Sequence, residues 1–115
     1  MTNIKVFSLE GCFFSQNAEN LLKKNNIDYE LKRISHFEKY DIKEKNKMDT
    51  FPQIFWDSKN EKLKIGGFAE LSELHNMVNS VNNFDDVYNF VSSKINTDDK
   101  KQVLKLIVYF QVKVE

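Results

Sequence analysis

Apolar positions in the first third of the chain recur with two different periods. Ile4, Val6, Phe7 and Leu9 form a short dense run that predicts a buried strand over residues 4–9. After Cys12 the spacing becomes helical, with Phe14, Ala18, Leu21 and Leu22 on one stripe ending near Asn25-Asn26. Strand followed by helix opens an α/β unit. Residues 27–34 alternate Tyr29, Leu31 and Arg33 against Asp28, Glu30 and Lys32, predicting a second strand, and residues 37–48 carry the charged, weakly amphipathic pattern of an exposed helix. Ile54-Phe55-Trp56 predicts a short apolar strand with Trp56 in the core or at its edge, Asp57-Ser58-Lys59-Asn60 a turn, and residues 62–65 the returning strand of a hairpin. Helical spacing resumes after Gly66-Gly67, through Phe68, Leu71, Leu74, Met77, Val78 and Val81.

The last third is helical by pattern. Phe84, Val87, Tyr88, Val91 and Ile95 make one stripe, and Asn96-Thr97-Asp98-Asp99 caps a second segment with Val103, Leu106, Ile107, Phe110 and Val114 on one face. Ile107-Val108-Tyr109-Phe110 also suits a strand, as does the alternation in Gln111-Val112-Lys113-Val114; the cap and the length of the stripe favour helix. The expected architecture is α/β: a four-stranded mixed sheet flanked by helices over residues 1–82, with a helical extension over 83–115 packed on the same domain. An apolar face of that width packs on its own domain or docks a partner, and the sequence does not choose.

Composition narrows the function classes. At 115 residues and 41% hydrophobic the chain is long enough for one domain with a core. Seventeen basic residues balance seventeen acidic ones, and no basic tract is interleaved with aromatics, so nucleic-acid binding is not expected. No run approaches the ~20 apolar residues needed to span a bilayer, and the first residues read straight into a strand without an apolar signal segment. The expected location is cytoplasmic, and a monomer is expected over a dimer. A single cysteine fits a reducing compartment and leaves no intramolecular disulfide.

That cysteine carries the candidate chemistry. Cys12 falls where the strand ends and the helix begins, and a helix N-terminus presents unpaired N–H groups that favour the nucleophilic thiolate. Ser15 lies one helical turn on, where its hydroxyl can hydrogen-bond the sulfur and where a redox dithiol motif has its second cysteine. Cys12 can therefore attack a disulfide, but no thiol in the chain can resolve the product. An external thiol must do so, with glutathione as the candidate and glutathionylated or disulfide-bonded proteins as substrates. The only proline, in Thr50-Phe51-Pro52, suits a cis bond that would turn the Phe51 backbone toward the cysteine and leave it free to pair with a peptide. Gly66-Gly67 lets backbone approach a ligand, and the N–H groups at Phe68-Ala69-Glu70 suit a carboxylate. Phe14 is expected in the core or along this groove, and Phe13 on the polar face. Neither His36 nor His75 is placed near Cys12, so a cysteine–histidine hydrolase is not supported.

In this order and spacing, Cys12-Phe13-Phe14-Ser15, Thr50-Phe51-Pro52-Gln53-Ile54-Phe55 and Gly66-Gly67-Phe68-Ala69-Glu70-Leu71 resemble the motifs of the glutaredoxin family, of thioredoxin-like fold. The resemblance runs from about Ile4 to Val81. It implies a nucleophilic Cys12 assisted by Ser15, a cis Pro52, and glutathione held by Phe14, Thr50, Phe51, Pro52, Gly67, Phe68 and Ala69. It implies a glutathione-dependent thiol–disulfide oxidoreductase working by a monothiol mechanism. Two alternatives stand beside it: a [2Fe–2S] carrier in which Cys12 and glutathione supply the ligands, and a binding module that has lost turnover. Leu9 and Asp49 stand where many members carry cations, and Ala69 replaces an aspartate. Weaker glutathione binding than in a typical member follows, offset in part by Lys47, Lys62 or Lys64.

Overall fold

The computed structural model describes residues 3–58 and 61–111. Nine elements follow in the order β1 (Ile4–Leu9), α1 (Phe13–Lys24), β2 (Glu30–Ile34), α2 (Lys39–Asn46), β3 (Gln53–Asp57), β4 (Lys62–Gly66), α3 (Phe68–Ser80), α4 (Phe84–Lys94) and α5 (Lys100–Phe110). The strands form one sheet in the order β2-β1-β3-β4. β1 pairs parallel with β2, Val6 opposite Leu31, and antiparallel with β3, Val6 opposite Ile54; β3 and β4 form the hairpin. This is the expected four-stranded mixed sheet flanked by helices.

Strand alternation sends side chains to two cores. Ile4 and Val6 of β1, Ile54 and Trp56 of β3 and Ile65 of β4 point to the face covered by α1, α3, α4 and α5. Phe7 and Phe55 point to the other face, where they join Ile34, Phe51 and Ile42 of α2 in a smaller cluster. Phe7 and Phe55 meet edge to face at 5.8 Å, and the Lys62 ammonium lies 4.8 and 4.5 Å from their ring centres. Burial holds the pKa of Lys62 below its ordinary value, with Lys5 pushing the same way.

Several element bounds differ from the pattern. β2 begins at Glu30 rather than at residue 27, and of its five residues only Ile34 is buried, because it is the edge strand and both its faces lie partly open. The alternation around Tyr29, Leu31 and Arg33 therefore does not mark a core face. α2 spans 39–46, leaving Phe37 almost wholly exposed, and it ends where Lys47 turns to a φ of 54°.

The segment that suited either helix or strand is helix to Phe110. Asp99 caps α5 by accepting the Lys101 N–H at 3.1 Å, and Asn83 caps α4 by accepting that of Asp86 at 3.1 Å. Val103, Leu106, Ile107 and Phe110 are buried in the same cluster as Val6 and Trp56. Polar contacts fix the docking: Trp56 Nε1 donates to Gln102 Oε1 at 2.8 Å, Tyr109 Oη to the Asp28 carbonyl at 2.6 Å, and Asn79 Nδ2 to the Phe110 carbonyl at 2.9 Å. The expectations on Lys59, Asn60, Val112, Lys113 and Val114 lie outside the described residues. Among the described residues no helix is long and apolar enough to cross a membrane.

Candidate active site

Cys12 is the residue that caps α1, with extended backbone (φ −89°, ψ 122°), and Gly11 before it takes a φ of 71°, in the left-handed region. The tight turn brings Cys12 N–H to the Leu9 carbonyl at 3.2 Å while the Cys12 carbonyl accepts the Gln16 N–H at 3.0 Å, so strand, turn and helix run on without a loop. Among the described residues no side chain caps the helix, which leaves its first N–H groups directed toward the thiol's end. The thiol is half-buried, against the cluster of Phe7 and Phe51.

The Ser15 hydroxyl is engaged away from the sulfur. Ser15 is fully buried, and its Oγ accepts the Leu9 N–H at 3.1 Å; among the described residues no hydrogen bond joins it to the sulfur. It ties the first turn of α1 to the end of β1 and so fixes the span that carries Cys12. Phe14 and Phe13 are about 60% exposed and stack edge to face at 5.7 Å, so Phe14 leaves the core and both rings stand free beside the thiol. The buried stripe of α1 is Ser15, Ala18, Glu19 and Leu22.

The Phe51-Pro52 bond is cis, as expected. The Phe51 carbonyl is not free: Cys12 Sγ lies 3.8 Å from it and donates to it in the thiol form. Phe51 and Pro52 are buried, and Thr50 and Asp49 are exposed. Two residues that sequence reasoning passed over hold this loop. Gln53, fully buried, accepts from Asn46 Nδ2 at 2.8 Å and donates to the Met48 carbonyl at 3.2 Å. The third motif adjoins the second, since a Cβ on Gly67 would lie 3.6 Å from the Pro52 carbonyl oxygen. Thus Cys12, buried Phe51-Pro52 and Gly67 adjoin one another in turn, with half-buried Phe68 and exposed Ala69 beyond. Lys64, expected to offset the missing cations, donates instead to the Lys47 carbonyl at 3.2 Å, and Lys62 sits over the aromatic pair.

The start of α3 already carries a carboxylate of its own. Glu70 Oε1 accepts the Gly67 N–H at 2.7 Å, which leaves the N–H groups of Phe68, Ala69 and Glu70 without a helical partner. Gly66 takes a φ of 127°, and a Cβ on it would fall 2.7–2.9 Å from the Glu70 side chain. Gly66→Ala is expected to cost about 1–3 kcal/mol through backbone strain and to push Glu70 off its N–H. A urea denaturation midpoint unchanged by the substitution would contradict this.

On the β2 side of Cys12 the surface opens into a cavity of about 300 Å³ bounded by Ser8, Cys12, Phe13, Gln16, Glu19 and Arg33. Glu19 is 1% exposed yet ionisable; its Oε2 accepts the Ser8 hydroxyl at 2.7 Å, and its Oε1 lies 3.4 Å from Arg33 Nη2. The Glu19 charge also adds to the burial that raises the pKa of Tyr29. His75 lies apart from Cys12, along a groove between α1 and α3 with Phe68 and Asn17; its buried Nε2 has no hydrogen-bond partner among the described residues, and burial lowers its pKa. Among the described residues no group of three or more His, Cys, Asp and Glu side chains converges as a metal site would require.

Known proteins share this architecture. Glutaredoxin 1 from Francisella tularensis, in a crystal structure complexed with cacodylate, superposes with a TM-score of 0.56 at 24% identity, over 65% of this chain and 93% of that one. The solution structure of a glutaredoxin from Brucella melitensis superposes with a TM-score of 0.52 at 23% identity, over 66% of this chain and 80% of that one. About a third of this chain lies outside each superposition. No curated protein sequence matches the chain. The Glutaredoxin family model matches residues 4–60, which take in the cysteine and cis-proline motifs and stop short of the glycine pair. With one thiol at the strand-to-helix turn and a cis-proline facing it, residues 4–60, just under half of the chain, match the glutaredoxin family, whose type of function is thiol oxidoreduction.

Proposed function

We propose that the protein is a glutathione-dependent thiol–disulfide oxidoreductase that removes glutathione from protein or small-molecule mixed disulfides by a monothiol mechanism. One observation carries the reading: Cys12 is the only cysteine in 115 residues, and it lies at the helix start against the cis-proline loop. The Cys12 thiolate attacks the glutathione sulfur of the mixed disulfide, forming a Cys12–glutathione disulfide and releasing the substrate thiolate, which takes a proton from water. A second glutathione, as thiolate, attacks the same glutathione sulfur, yielding oxidised glutathione and free Cys12. The net change converts the mixed disulfide and one glutathione thiol into the substrate thiol and oxidised glutathione, with one S–S bond broken and one formed.

Phe51, Pro52, Gly67, Phe68 and Ala69 are the proposed glutathione surface, with Phe14 and Thr50 at its border. Binding there is mainly to backbone, and it is weak for the family because Leu9, Asp49 and Ala69 lack the expected charges. The proposed setting is a monomer in the cytoplasm.

The test is turnover of a glutathionylated peptide coupled to glutathione reductase, with peptide and glutathione both varied. Initial rates are expected to rise with glutathione and to give the parallel reciprocal lines of a two-step exchange. Rates independent of glutathione, from folded protein, would sink the reading.

A further inference from the structure

We propose that Arg33, held at the mouth of the Cys12 cavity by the buried Glu19 carboxylate, selects disulfides bearing a carboxylate on the partner that approaches from the β2 side. The inference rests on thiol exchange at Cys12 and adds a subsite on the opposite side from the Gly67 surface.

The placement follows from β2 being an edge strand. With both of its faces partly open, Arg33 keeps a side chain 57% exposed while still bounding the cavity that holds Cys12. Among the described residues lining that cavity it is the one cation, and Glu19 is the one anion. Their depths differ sharply: Glu19 is sealed beneath α1, whereas Arg33 lies outside it, so the pair presents its positive end to the opening.

A purely structural pair is the competing account, and the geometry favours it poorly. A guanidinium has five N–H donors in a planar fork, and Glu19 engages Arg33 through a single Nη2 to Oε1 contact at 3.4 Å. The other Glu19 oxygen is satisfied by Ser8 at 2.7 Å. Donors therefore remain on Arg33 for a second carboxylate, which the fork accepts in bidentate fashion. Taking a charge out of water without compensation is costly, which gives Glu19 the role of anchor: it restrains the direction of a side chain that would otherwise sweep through solvent. Gln16, which also lines the cavity, extends the polar wall toward the thiol.

The experiment follows the reaction of Cys12 with three symmetrical disulfides, of oxidised glutathione (anionic), 2-hydroxyethanethiol (neutral) and cystamine (cationic), measured as second-order rate constants for mixed-disulfide formation by quenched mass spectrometry. Each reaction breaks one S–S bond, forms one and releases one thiolate. In Arg33→Gln the ratio of the anionic to the neutral rate constant is expected to fall about 3- to 10-fold, the range of one exposed to partly desolvated charged contact, and the cationic disulfide to gain relative to the neutral one. Arg33→Lys, which keeps the charge and loses the fork, is expected to fall between. An unchanged ratio overturns the proposal, whether all three rates drop together or none moves. If Arg33→Gln is unfolded by circular dichroism, the Glu19→Gln/Arg33→Gln pair removes both charges and carries the same comparison. Wild-type protein that reacts with none of the three refutes thiol exchange itself, a result distinct from exchange that ignores charge.

Discussion

Cys12→Ser is expected to lose mixed-disulfide formation completely, down to the rate of buffer alone, while folding at least as well as the parent. The two halves of that result have separate causes. An oxygen cannot take the place of sulfur in the covalent intermediate, and the chain holds no second cysteine to substitute for it. The fold, by contrast, asks little of the thiol: it is half-exposed, and its polar contact is a 3.8 Å approach to the Phe51 carbonyl. At the cap of α1, where among the described residues no side chain now satisfies the helix N–H groups, serine is among the preferred residues and cysteine is not. Stability should hold or rise slightly in urea denaturation. Exchange surviving in Cys12→Ser would mean that the reaction does not pass through this thiol, and would remove the basis of both the monothiol reading and the Arg33 subsite.

The strand-to-helix turn at Cys12 was legible because the dense apolar run ends at Leu9 and helical spacing begins directly after the cysteine. The cis-proline loop was legible from its one proline. What stayed hidden is polar and buried. Ser15, Ala18, Glu19 and Leu22 follow helical spacing faithfully, yet two of the four are polar, so a hydrophobicity pattern shifts the stripe onto exposed Phe14 and misses Glu19. Gln53 and Asn46 were passed over as polar side chains whose partners, each other and the Met48 carbonyl, only the fold brings near. Arg33 was read only as one position of an alternating strand; in an edge strand alternation says little about burial, and the carboxylate that holds Arg33 comes from another element.

The helical extension yields the second large effect. Phe110 lies at the end of α5, some thirty residues beyond the part of the chain that resembles the family, yet it is fully buried in the cluster containing Val6 and Trp56. Truncating a buried phenylalanine to alanine costs about 3–5 kcal/mol, against a total of about 5–15 kcal/mol for a domain. Phe110→Ala is therefore expected to lower the urea midpoint by a large fraction of its value. The control sits on the same helix: Val108 is 66% exposed, and Val108→Ala should stay within about 0.5 kcal/mol. The comparison decides what the extension is for. If α5 were an appended arm, the two substitutions would cost alike and thiol exchange would survive both. If the sheet is built around it, as the Trp56–Gln102 hydrogen bond and the edge-to-face packing of Trp56 on Tyr109 at 5.4 Å require, Phe110→Ala destabilises the molecule in a single transition. Trp56 stands four residues after Pro52 on β3, so loosening α5 loosens the strand that carries the cis-proline loop. Exchange at Cys12 should then fall in step with the folded fraction as urea is raised, and a rate that outlasts the loss of tertiary structure would show that the active site does not need the extension.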